Sequence, residues 1–234
     1  MAKPDYSMRP LTAWRALKLL IADPERTEQV FVIVRALSGR SLPRAYARFR
    51  KTDTGQRILN EKRSLLDTLS DREALRELPA GSLGRAYLKF VETESITADG
   101  LVEASEYDAE WGEEGGLRLY AERSRDMHDL WHVTTGYGRD VLGEACLLAF
   151  TVAQVKNPGL ALITVAGALK IARERGSAVY RAVWSGFRAG RRAEWLPAQD
   201  WEALLAQPLE DVRKQLGVSA PEVYPEILAE AATA

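Results

Sequence analysis

Apolar residues recur at three- and four-residue spacing along almost the whole chain, the period of one face of an α-helix. After Pro10 the segment LTAWRALKLLIA reads this way, and Asp23-Pro24-Glu25 offers a cap-like start to the next one, EQVFVIVRAL. That second segment is the one ambiguity, because FVIV is rich in β-branched residues and suits a strand, although no partner strand is near. The same period predicts helices at SLPRAYARFR, TGQRILNEKRSLL, DREALREL, SLGRAYLKFVET, GLRLYAERSRDMHDLWHV and RDVLGEACLLAFTVAQV. Further on it predicts them at GLALITVAGALKIARERG, AVYRAVWSGFRAG, DWEALLA and LEDVRKQLG. The expected class is all-α. Gly and Pro are spread evenly, and no linker, low-complexity run or internal repeat marks a boundary, so a single multi-helix domain is expected.

The 234 residues are 46% hydrophobic and 28% charged, which suits a folded core. A net charge of -1 lacks the excess of Lys and Arg that binding a nucleic-acid backbone needs, so no nucleic-acid partner is expected. Cys146 is the single cysteine and reads as core packing; without an intrachain disulfide the chain suits a reducing compartment. The opening MAKPDYSMRPL resembles neither a signal nor a transit peptide. The longest apolar passages, ACLLAFTVAQV and LALITVAGALKIA, fall short of the roughly 20 residues that span a bilayer. A cytoplasmic protein is expected, one that does not cross a membrane but is able to lie against its inner face.

Both histidines of the chain fall within RDMHDLWHVTTGYGRDVLGEAC, residues 125–146. On a helix His128 and His132, i and i+4, stand about 40° apart, and Asp129 lies within about 100° of His128. Thr134, Thr135 and Gly136-Tyr137-Gly138 read as a helix stop and a turn. In an antiparallel hairpin centred on Gly136, Glu144 sits opposite His128 and Asp140 opposite His132, so the metal site is expected on that hairpin. Two imidazoles with two carboxylates suit Zn²⁺, and also Fe²⁺, Mn²⁺ or Co²⁺. The competing reading is two histidines packed in a core or hydrogen-bonded to a carboxylate. Gly143 inside a helix costs about 1 kcal/mol against Ala, which the close approach of another helix or a ligand explains. A phosphohydrolase of the HD type needs a further upstream His, and a zincin protease needs Glu at position 129; neither pattern is present.

Several neighbours have two readings. Arg123 and Arg125 precede the histidines on the same helical segment, as a bidentate clamp for a substrate carboxylate or as a solvated helix face. Asp140 is either an acceptor that orients a ligand histidine or an N-terminal helix charge. Trp131 and Tyr137 flank the histidines, lining an aromatic pocket or packing in the core.

HDLWH followed by eleven residues and Glu144 resembles the HDxxH-x11-E signature of the coenzyme Q biosynthesis protein 4 family. LPAGSLGRAYLKFVE resembles that family's LPxxSLGxxYxxFxE segment, and RSRDMHD its RxRxxHD lead-in. AGRRAEWLPAQDWEALLAQPLEDVRKQLG resembles its C-terminal GRR…WE…LR segment. The resemblance runs from about residue 10 to 217, leaving 218–234 as a tail without a counterpart. A short segment before residue 10 suggests a bacterial-type relative rather than a eukaryotic one with a presequence.

The resemblance implies a metal-binding protein of ubiquinone biosynthesis that acts on polyprenylated aromatic precursors. Carried over by position, His128, Asp129, His132 and Glu144 are the metal ligands and the catalytic set, Zn²⁺ being the first candidate. Arg123, Arg125 and Tyr137 are candidate contacts for the bound molecule, and GLALITVAGALKIA is either core or a channel for a prenyl tail. Two roles follow. One is oxidative decarboxylation that replaces the C1 carboxylate of a prenylated hydroxybenzoate by a hydroxyl. The other is a non-catalytic metal-containing scaffold or carrier that organises the other ubiquinone-biosynthesis enzymes at the membrane surface; assembly as a homodimer is left open.

Overall fold

The computed structural model describes residues 6–23, 26, 28–94 and 115–232. In chain order its helices are α1 (Pro10–Ala22), α2 (Glu28–Ser38), α3 (Ser41–Phe49), α4 (Asp53–Glu61), α5 (Leu65–Ser70), α6 (Arg72–Glu77) and α7 (Leu83–Thr93). They continue as α8 (Gly115–Asp126), α9 (His128–Thr135), α10 (Val141–Val155), α11 (Pro158–Arg175) and α12 (Ala178–Arg192). A 3₁₀ turn at Leu196–Ala198 precedes α13 (Trp201–Leu204), α14 (Leu209–Leu216) and α15 (Val223–Ala232). Among the described residues there is no strand, and no helix is long and apolar enough to cross a membrane.

Short polar residues set where these helices start. Thr52, Ser64, Asp71 and Ser82 each accept a hydrogen bond from the backbone N–H three residues on. These caps satisfy N–H groups that have no partner within the helix. The Ser64 cap explains why TGQRILNEKRSLL is two helices: α4 ends at Lys62 in the left-handed conformation (φ 52°), and α5 starts afresh. FVIV lies inside α2, where Ile33 and Ala36 join a cluster with Ala13, Ala16, Leu17 and Ile163. Burial of one helical face outweighs the strand preference of a β-branched run. Pro24 and Glu25 of the expected cap lie outside the described residues.

The helices gather into two compact units, each assembled from separate stretches of chain. The first unit takes Leu42–Thr134 and Trp195–Leu216; the second takes Tyr6–Ser41, Thr135–Glu194 and Gly217–Ala234. In the first, Phe49, Ile58, Tyr120 and Trp195 form a buried cluster, with Tyr120 packed on Phe49 at a centroid distance of 5.0 Å. In the second, α10 and α12 meet at glycines. A Cβ at Gly186 would stand 2.5 Å from the Cys146 carbonyl oxygen, and one at Gly190 would collide with that of Phe150. Asn157 caps α11 through Gly159 and Leu160 and also donates to the Ser38 hydroxyl at 3.0 Å, tying the end of α2 to the start of α11.

The tail also has structure. It forms α15, which buries Tyr224 and Ile227 in the second unit.

Candidate metal centre

Helix α8 and helix α9 are separated only by Met127, where GLRLYAERSRDMHDLWHV was expected to run unbroken. The hydrogen bonds from Met127 N–H to the Arg123 carbonyl and from Trp131 N–H to the Met127 carbonyl carry the ladder through this point. The turn at Met127 is thus a single-residue break in an otherwise continued ladder, and α9 carries the first histidine, the carboxylate and the second histidine within its first five residues.

The three side chains come together. One donor atom from each of His128, Asp129 and His132 lies within 4.8 Å of the others. The His128 Nδ1 is 3.3 Å from an Asp129 oxygen, and the imidazoles meet edge to face at 4.8 Å between centroids, 75° apart. Donors about 2.0–2.2 Å from one ion lie at most about 4.4 Å from each other, so small side-chain movements bring this set to ligand distance. Two imidazoles and a carboxylate are also the right chemistry for a borderline divalent cation. The triad fits a metal. His132 is buried, while His128 and Asp129 are half-buried, so the triad has one closed side and one more open side.

Helix α7, from the LPAGSLGRAYLKFVE segment, supplies the closed side. Phe90 stacks on the His132 ring at 5.4 Å with an interplanar angle of 23°. Tyr87, one turn earlier, is buried; burial first and then the negative charge of Asp129 hold its phenol above the ordinary range, with Arg72 opposing. The first turn of α7 is fixed by backbone. Leu83 N–H donates to the Gln207 carbonyl at 2.9 Å and Gly84 N–H to the Leu205 carbonyl at 2.8 Å. A Cβ at Gly84 would stand 3.1 Å from that Leu205 oxygen and collide with the Leu78 side chain. Gly in the SLG motif therefore permits close approach of two backbones, which aims Tyr87 and Phe90 at the donors.

One arginine anchors the helix that precedes the donors, and another holds the end of the donor helix. Arg123 is 2% exposed; its two terminal nitrogens donate to both Glu202 oxygens at 2.6 and 2.9 Å, and one also to the Arg63 carbonyl at 3.1 Å. Arg213 donates to the carbonyls of Thr134 (2.9 Å) and Val133 (3.1 Å), which end α9 and have no partner further along the helix. Arg125 pairs with Asp126, whose carboxyl is raised by burial against the opposing charge of Arg125.

The other expected site residues belong to the second unit. Glu144 is half-buried in the first turn of α10. Asp140 caps that helix by accepting from Leu142 (3.1 Å) and Gly143 (3.2 Å), and accepts from the Tyr224 hydroxyl, which in turn accepts from Gly138 N–H at 3.0 Å. This is the helix-terminus reading of Asp140. Tyr137 is buried, edge to face with Tyr224 at 5.5 Å. Gly143 is required by the preceding turn: a Cβ there would collide with the Gly138 backbone, so the close neighbour is neither another helix nor a ligand. Trp131, in the first unit, is buried in the core.

Tyr87, Phe90, Glu202 and Arg213 support the donors without being evident as site residues from local sequence pattern. The signals were present: two aromatics one turn apart in the SLG segment, and the acid and the arginine of the C-terminal segment, all inside the stretches that carry the resemblance.

Known proteins resemble this chain along most of its length. The sequence profile of Coenzyme Q (ubiquinone) biosynthesis protein Coq4 matches residues 8–222. The human Ubiquinone biosynthesis protein COQ4 homolog, mitochondrial, is 27% identical over 220 residues, covering 94% of this chain and 81% of the human one. The Anopheles gambiae protein of the same name is 29% identical over 204 residues, covering 85% and 69%. The Scheffersomyces stipitis protein is 27% identical over 168 residues, 71% of this chain, which spans about half (51%) of that longer relative. A crystal structure of a candidate ubiquinone biosynthesis protein from Nostoc punctiforme has the same fold, with a TM-score of 0.64 at 22% identity, covering 92% of this chain and 100% of that one. The chain belongs to the Coq4 family of ubiquinone biosynthesis proteins.

Proposed function

We propose that this protein catalyses a metal-dependent oxidative decarboxylation in ubiquinone biosynthesis, replacing the C1 carboxylate of a polyprenylated hydroxybenzoate-type intermediate by a hydroxyl. The observation that carries the reading is the donor triad His128, Asp129 and His132 on one helix of a ubiquinone-biosynthesis protein. Glu144 is proposed as a further donor because it occupies the last position of the HDxxH-x11-E signature. A bound divalent ion, Zn²⁺ being the first candidate and Fe²⁺, Mn²⁺ or Co²⁺ the others, supplies positive charge for the ring carboxylate and, if redox-active, access to O₂ chemistry.

The roles of the protein groups follow from their surroundings. Phe90 and Tyr87 exclude water behind His132 and fix its ring plane. Arg213 holds the end of α9, and Arg123 holds α8, which leads into it, so that both imidazoles keep their mutual angle. Arg125, one turn before His128, is the proposed contact for the substrate carboxylate. In the overall change the bond from ring carbon to carboxyl breaks and CO₂ leaves, while a carbon–oxygen bond forms at the same carbon. The ring carbon loses two electrons to O₂; when the second oxygen atom leaves as water, an external reductant supplies two electrons and two protons. The partners proposed are the prenylated precursor and the enzymes that supply and consume it.

Release of CO₂ from a ring-carboxyl-labelled prenylated 4-hydroxybenzoate derivative, with and without O₂, tests this with metal-loaded protein and the His128→Ala variant. Release that needs both O₂ and His128 is expected. Absence of release with retained lipid binding would replace the enzyme by a carrier whose metal grips the intermediate without transforming it.

A further inference from the structure

The tail helix α15 packs on α10 and α12 and buries Tyr224 and Ile227, one turn apart. Ile227 gains by burial alone, whereas the Tyr224 hydroxyl has to replace the hydrogen bonds it gives up on leaving water. It replaces both kinds. It accepts from Gly138 N–H at 3.0 Å and donates to the Oδ2 of Asp140, while Tyr137 lies edge to face against its ring. Gly138 permits the approach, since a Cβ there would stand 2.6 Å from the Tyr224 hydroxyl. Tyr224 lies just past residue 222, where the match to the family profile ends.

Asp140 passes this contact on to α10. Its Oδ1 accepts from the N–H groups of Leu142 and Gly143, and its carbonyl accepts from Glu144 N–H at 2.9 Å. The side chain that Tyr224 holds by one oxygen therefore fixes the first helical turn by the other. A capping carboxylate on a surface shares its second oxygen with water and turns freely; here a charge-assisted hydrogen bond from a buried phenol stops it. Glu144 follows in that same turn, half-buried, and all these residues belong to the second unit.

We propose that Tyr224 is a positioning residue for the metal site: by holding Asp140 it fixes the first turn of α10, and with it the carboxylate of Glu144. That role rests on the reading of Glu144 as a donor. It places the control of a signature carboxylate in a helix outside the signature, where local sequence pattern gives no sign of it. A donor whose helical turn is already fixed loses less freedom when it binds an ion, so its grip on the metal is tighter.

The test is the Zn²⁺ affinity of the metal-free full chain, measured by competition with a chromogenic chelator, in a double-mutant cycle of Tyr224→Phe and Glu144→Ala. Tyr224→Phe keeps the ring against Tyr137 and removes only the hydroxyl. It is expected to weaken Zn²⁺ binding on the order of 10-fold, the lower end of what loss of a ligand's supporting partner costs. In the Glu144→Ala background the same substitution is expected to change nothing. Gly138→Ala pushes the phenol away from the opposite side and is expected to act as Tyr224→Phe does. Equal weakening by Tyr224→Phe with and without Glu144 overturns the proposal, because loosened packing alone then explains the loss. Parental affinity in both Tyr224→Phe and Gly138→Ala, with Glu144→Ala weakened, overturns it while leaving Glu144 a donor. Glu144→Ala that binds as tightly as the parent rejects the donor itself, and a parent that binds no Zn²⁺ rejects the metal site; either result overturns the proposal as well.

Discussion

The two units are held by different physics. Around the donor helix of the first unit, charged groups close on one another and on backbone carbonyls: Arg123 on Glu202, Arg57 and Arg63 on Asp200, Arg213 on Val133 and Thr134. In the second unit two helices are brought together by missing side chains, Gly186 and Gly190 against the backbone of α10. Charged pairs and carbonyl caps are directional, and they suit a helix whose imidazoles must keep one orientation. Glycines bring α10 and α12 close, with one directional bond across them, from the Gln154 amide to the Gly190 carbonyl at 2.6 Å, and the outward side of α12 is left to aromatic and basic residues.

The largest effect is expected at Arg123. Arg123→Ala leaves the Glu202 carboxylate largely buried without its partner and is expected to destabilise by about 3–5 kcal/mol in denaturant unfolding. A loss below about 1 kcal/mol would show that the pair contributes little to the first unit. Next come the glycines. Gly186→Ala and Gly190→Ala are each expected to cost about 1–3 kcal/mol, because the backbone opposite is unable to retreat. Gly167→Ala on α11, where a Cβ meets nothing within 4 Å, is expected to stabilise by up to about 1 kcal/mol. If all three behave alike, close packing is not what distinguishes the second unit.

A smaller effect is expected at Asp200 in the first unit. Burial pushes the Asp200 carboxyl up, but the hydrogen bond and charge of Arg63, the Ala203 N–H and Arg57 outweigh it, so the group sits below the usual carboxylate range. A depressed folded value means that its stabilisation is present above the ordinary Asp pKa near about 3.9 and is lost as pH falls through the folded value. Asp200→Asn should therefore cost stability at neutral pH and converge with the parent in strong acid; parallel pH profiles would contradict this. The smallest effect is chemical. Burial, and then the charge of Asp140, push the Cys146 thiol up to about 12, so iodoacetamide at pH 8 should label it only after unfolding.

Helix periodicity made most of the fold legible in the sequence, since one apolar face per helix is what a packed helix needs. What misled was local. Met127 interrupts an apolar pattern that continues across it, and FVIV has the composition of a strand. The division into two units was not legible, because the chain passes between them without a linker, at 134/135 within α9 itself. His128, Asp129 and His132 were legible because one helical turn brings them together. Arg123 was legible as a charge but not as a buried anchor, since Glu202 lies 79 residues away in sequence. Phe90 and Tyr87 were hidden for the same reason, their neighbours coming from another helix.

A divalent metal is proposed to bind at His128, Asp129 and His132 on α9. Elemental analysis of the purified protein, alongside His132→Ala and Phe90→Ala variants that retain parental helicity, tests it most directly. One divalent ion per chain is expected in the parent, none in His132→Ala, and weakened retention under chelator in Phe90→Ala. A full equivalent of metal in His132→Ala would contradict the claim.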